Sequence, residues 1–91
     1  MKAISPDSAV AFLDSIESHA IAGNFTQARL QAESLIEAMQ EACSPAGARE
    51  YLYGGALEHV QRIPREAEDW ASEAIQNSVH QAKAAIFIAV G

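Results

Sequence analysis

Residues 24–43, NFTQARLQAESLIEAMQEAC, decide the fold. Phe25, Ala28, Ala32, Leu35, Met39 and Ala42 recur at spacings of three, four, three, four and three. That alternation is the seam of a helix laid along another helix, with apolar residues at the a and d positions. Asn24 followed by Gln27 is a capping-box start, and Gly23 just before it suits the left-handed residue that ends a helix. A connection this short folds the preceding helix back as an antiparallel hairpin.

The helix before the turn is legible from its start. Ser5-Pro6-Asp7 supplies a cap, a proline suited to the first helical position and an acid at the positive end of the dipole. Ala9, Phe12, Leu13, Ile16 and Ala20 then share one face. Beyond the seam, Ser44-Pro45 repeats the cap-and-proline start. A third helix follows, with Ala48, Leu52, Ala56, Val60 and Ile63 inward and Tyr53 and Leu57 beside them. Gly54-Gly55 lies in its middle and costs about 1 kcal/mol per glycine relative to alanine, which fits a close helix crossing or a local kink. Pro64 removes a backbone donor and disfavours helix at Ile63, while Glu66, Glu68 and Asp69 suit a new positive helix end. Pro64 either ends the third helix or kinks one long helix; the first reading is favoured, with a fourth helix from about Pro64 to Val90. Its inner face is Trp70, Ala71, Ala74, Ile75, Ser78, Val79, Ala82 and Ile86. Val, Ile and Thr are sparse and scattered and nowhere alternate with polar residues at period two, so no sheet is expected.

Gly23-Asn24-Phe25 with Ala28 and Ala32 resembles the turn and second helix of a tetratricopeptide hairpin. The likeness covers about a third of the chain, and no second copy follows. It implies only a helical hairpin, since such arrays need about three repeats.

The expected fold is all-α: one domain over residues 1–91, four helices in two antiparallel hairpins, with room for the hairpins to intertwine in a dimer. A 91-residue chain buries a limited share of its surface, and association is a common remedy.

Composition narrows function. Six Lys and Arg stand against twelve Asp and Glu, a formal net charge of −6. That balance disfavours direct contact with nucleic-acid phosphates or anionic membranes. Cys43 is the single cysteine, so an internal disulfide is excluded and a reducing compartment is expected. The N-terminal residues lack the apolar core of a signal peptide, and no stretch approaches the ~20 apolar residues of a membrane span. The expected location is the cytoplasm.

Motifs for chemistry are missing. His19, His59 and His80 have neither a histidine four residues away nor a cysteine at zinc spacing. Gly54-Gly55 lacks the Lys-Ser/Thr of a phosphate loop, and Cys43 has no neighbouring basic cluster. No catalytic residue, metal ligand or cofactor is therefore assigned, and the chain is read as a non-enzyme.

Two features point to partners. Ile86, Phe87, Ile88 and Val90 are apolar on every side of the last helical turns, and a second copy of the chain is the natural cover. Glu33, Glu37 and Glu41 form an exposed acidic row on the second helix. They repel by a few tenths of a kcal/mol, and Glu41 opposes the helix dipole as well. The row is the candidate contact for a basic protein partner. The expected function is a small interaction module, an adaptor, inhibitor or immunity-type protein that occupies a partner's surface. Two alternatives are a ligand-sensing bundle with a cavity near Trp70, Tyr51 and Tyr53, and an acidic nucleic-acid mimic.

Overall fold

Four helices form where the apolar stripes run, and their ends fall where the backbone chemistry changes. The computed structural model describes the backbone of residues 5–43 and 47–90, and side chains within 5–41 and 55–88. Helix α1 is Pro6–Ala22, α2 is Phe25–Cys43, α3 is Gly47–Glu68 and α4 is Ser72–Val90. No strand occurs among the described residues.

Ser5 caps α1 by accepting from the Ser8 amide at 3.1 Å, with Pro6 as the first helical residue. Gly23 closes it at φ 82°. Its amide donates to Ala20, and that of Asn24 to His19, the paired bonds of a Schellman turn. Nothing lies within 4 Å of where a Gly23 side chain would begin, so the glycine is there for its backbone and not for space.

The stripes converge as expected. Ala9, Leu13, Ile16 and Ala20 of α1 and Ala28, Ala32, Leu35 and Met39 of α2 are buried. They join Ala56, Val60, Ile63 and Ala67 of α3 and Ile75, Val79, Ala82 and Ile86 of α4. Phe12, Phe25 and Leu57 pack half-buried against this core. The helices form a ring in which α1 packs on α2 and α4, and α3 packs on the same two. Two polar links fix α1 antiparallel to α4: Glu17 with His80 at 2.9 Å, and Asp14 with Lys83. Ser72 adds a third, its hydroxyl donating to the Ala20 carbonyl at 2.9 Å. Two antiparallel hairpins therefore close into a four-helix bundle.

Two expectations are corrected. Pro64 neither starts α4 nor ends α3, but lies inside α3. An interior proline costs about 3 kcal/mol. However, the stripe Ala56, Val60, Ile63, Ala67 crosses it unbroken, and stopping there would strip Ala67 and the last turn from the core. Glu66 and Glu68 accordingly occupy the negative end of α3, with Asp69 just past it, instead of a favourable helix start. Trp70 is the second correction: it belongs to the α3–α4 turn and is 76% exposed.

At Gly55 an added Cβ would meet the Ala85 Cβ at 3.8 Å, an ordinary contact, so a close crossing does not require that glycine. The Ser44-Pro45 cap lies outside the described residues, as do the side chains of Ala42, Cys43, Ala48, Tyr51, Leu52, Tyr53, Gly54 and Val90.

Candidate functional site

The α3–α4 turn copies the hydrogen bonding of the α1–α2 turn. The Trp70 amide donates to Ala67 at 3.1 Å and the Ala71 amide to Glu66 at 3.0 Å, again the Schellman pair. The geometry demands a left-handed residue at Trp70, which has φ 54°. It is the only non-glycine with positive φ among the described residues. For an L-residue that conformation costs roughly 1–2 kcal/mol, and for a bulky side chain it is an outlier. Burial does not offset the cost, because most of the indole faces solvent.

The sole tryptophan of the chain therefore stands out from one end of the bundle. Phe25 and Thr26 begin α2 beside it, because antiparallel packing brings the start of α2 to the end of α3. Together with Arg29, Ala67 and Glu68 they line, with Trp70, an open pocket of ≈ 150 Å³. Arg29 and Glu68 span it as an ion pair at 3.7 Å. Both are substantially solvated, so the pair contributes at most about 1 kcal/mol. The Arg29 Nε is buried without a hydrogen-bond partner.

Acids surround the turn. Glu68, Asp69 and Glu73 are exposed. Glu66 is half-buried, and its carboxylate accepts from the buried Ser78 hydroxyl at 2.8 Å. Burial pushes the Glu66 carboxyl above its ordinary range, against the opposing pull of the Ser78 hydrogen bond and the Arg62 charge.

Glu33, Glu37 and Glu41 are all exposed, and none takes part in an ion pair among the described residues. They share the outer stripe of α2 with Thr26 and Leu30, both exposed. Thr26 also lines the Trp70 pocket, so stripe and pocket are continuous. The apolar set of α4 divides. Ile86 lies in the core of the single chain, one turn beyond Ala82, whereas Phe87 and Ile88 are 59% and 82% exposed. They lie some fifteen residues along α4 from the Trp70 turn, about 22 Å away. The structure thus starts the stripe that carries the acids at the Trp70 pocket, with Glu33 about 10 Å and Glu41 about 22 Å along α2 from Thr26, and leaves Phe87 and Ile88 at the far end of the bundle.

Trp70 is the residue that sequence reading misplaced. It falls three residues after Ala67, on the apparent stripe, and periodicity alone puts it inside. The contrary signal is Ser72-Glu73, a helix start just downstream that leaves room for a turn. No three of His, Cys, Asp and Glu converge to hold a metal among the described residues, and no helix there is long and apolar enough to cross a membrane. Comparison with protein-family models, curated proteins and solved structures finds no match to this chain.

Proposed function

We propose that the protein is a non-enzymatic interaction module, an adaptor or inhibitor that works by occupying the surface of a partner protein. One observation carries this: Trp70 is held in a strained left-handed backbone and left exposed, at a position where glycine would serve the fold better. Tryptophan is one of the residues enriched at the energetic centre of protein interfaces. The adjoining pocket, at ≈ 150 Å³, is smaller than the roughly 300–1,000 Å³ of small-molecule sites, which favours a partner's side chain over a free metabolite.

Affinity capture from the native host tests the proposal, with wild type and Trp70→Gly run side by side. Circular dichroism must first show that the variant is folded. A protein retained by wild type and lost by the variant supports interaction through Trp70. A set of captured proteins identical for both would sink it.

Self-association is a second element of the proposal and concerns the other end of the bundle. Phe87 and Ile88 form the exposed apolar pair that a second copy would cover. Light scattering coupled to size exclusion should give about twice the chain mass. Phe87→Ser with Ile88→Ser should return it to monomer while leaving Ile86 and the core intact. A monomeric wild type at high micromolar concentration rules this element out.

A further inference from the structure

We infer that the Trp70 pocket and the outer stripe of α2 form one continuous docking surface for a basic amphipathic segment of a partner protein, an inference that rests on the protein's acting by partner binding. The pocket supplies the anchor point. Its walls are Phe25, Ala67 and Trp70 on the apolar part and Thr26, Arg29 and Glu68 on the polar part, and its open volume of ≈ 150 Å³ has room for one large side chain. A single large aliphatic or aromatic side chain fits it. Arg29, the cation on its wall, is paired with Glu68 at 3.7 Å.

The surface continues without a break. Thr26 is both a wall of the pocket and the first residue of a row, Thr26, Leu30, Glu33, Glu37 and Glu41, at spacings of four, three, four and four. Leu30 is 45% exposed and extends the apolar anchor before the acids begin. From Leu30 to Glu41 the row runs about 16 Å, roughly three helical turns. A partner helix laid along it would present an apolar residue to the pocket and a Lys or Arg every three or four residues to the acids.

The exposed indole favours the same occupant. Trp is the best ring for a cation stacked on its face, and Asp69 and Glu73 flank Trp70 with negative charge. Other occupants fit worse. A second copy using the same surface would set its own Glu33, Glu37 and Glu41 against these, because a two-fold interface brings like patches together. A nucleic-acid or membrane surface would meet the same acids with its phosphates.

The test uses a displayed library of random peptides of about 16 residues, long enough to span the row as a helix. Peptides are selected on the intact protein and counter-selected on Trp70→Gly. The survivors should carry net positive charge, with Lys or Arg at three- or four-residue spacing and one large apolar residue. A synthetic survivor should shift the fluorescence of the single tryptophan. Its affinity should fall about tenfold for the Glu33→Gln, Glu37→Gln, Glu41→Gln variant at low ionic strength, with the difference shrinking in concentrated salt. Neutral or acidic survivors, an affinity unchanged in the triple variant, or no survivor at all would each overturn the inference. If native partners still require Trp70 in that event, interaction through Trp70 stands and only the chemistry assigned to the partner falls.

Discussion

Two turns at the same end of the bundle solve one backbone problem with opposite residues. Gly23 and Trp70 each hold the left-handed position of a Schellman turn, and each turn is closed by the same pair of bonds. The first uses the residue with no side chain to clash. The second uses the largest side chain available, and exposes it. The fold requires φ above zero at both places and is indifferent to any side chain there. A tryptophan in that position is therefore informative in a way that the glycine is not. Of these two turns, it marks the one where something other than chain reversal has shaped the sequence.

The largest effect should come from what the two turns share. Leu35 is fully buried in the seam that both hairpins pack against. Leu35→Ala should destabilise the protein by about 2–5 kcal/mol in denaturant unfolding. Amide exchange at Asn24 and Ala71 should lose protection together. Loss of protection at one turn alone would mean that the hairpins are separate cooperative units, and the two turns could not then be compared on one scale.

The turns themselves should respond with opposite signs. Gly23→Ala has open space for its methyl group and leaves only a backbone penalty. Part of the roughly 1–2 kcal/mol is offset by a less flexible unfolded chain, so a net loss of about 1 kcal/mol is expected. Trp70→Gly runs in reverse. Relief of the left-handed strain outweighs the added unfolded-state entropy and the weaker packing against Phe25 and Ala67, giving a gain between zero and about 1 kcal/mol. Thermal melts of the two variants should move to either side of wild type. A Trp70→Gly variant that loses more than about 1 kcal/mol would show that the indole holds the bundle together, and its exposure would no longer point to a partner.

The same contrast explains what could be read in advance. Around Gly23 everything was local: a cap, a glycine and two stripes of unbroken period led to α1, α2 and half of the buried core. Near Trp70 the deciding terms were tertiary. Pro64 carries a local penalty that argues for a helix break, yet Ile63 and Ala67 stay on one buried stripe and the helix continues. Once α3 runs on to Glu68, Trp70 is pushed out of the helix that would have buried it. Ile86, Phe87 and Ile88 show the same limit. A consecutive apolar run has no period of its own, and only the register inherited from Ile75, Val79 and Ala82 selects Ile86 for the core. The exposure of Glu33, Glu37 and Glu41 was legible because they face away from a clean seam. Their continuity with Trp70 was not, since it depends on how α2 and α3 pack.

The smallest effect concerns the residue that accepts the longer-range bond in each turn, His19 in one and Glu66 in the other. A basic residue there suits the negative end of a helix and an acid does not. The Glu66 carboxyl is raised from its ordinary value of 4.5, chiefly by burial. Below pH 4.5 the group is protonated in both folded and unfolded chains and favours neither. As pH rises, the unfolded chain ionises first, and folding stability declines until the folded carboxyl ionises as well. Glu66→Gln removes that decline while keeping an oxygen to accept from Ser78. The difference in stability between variant and wild type should therefore grow in the variant's favour as pH is raised through 4.5, then level off once the folded carboxyl has ionised. Denaturant unfolding at several pH values reads it directly. A flat difference would mean that burial and the two opposing interactions cancel, and one that grows toward acid pH would mean the folded state prefers the ionised carboxylate. In the second case the Ser78 hydrogen bond and Arg62 would outweigh burial, and the Trp70 turn would rest on a charged support.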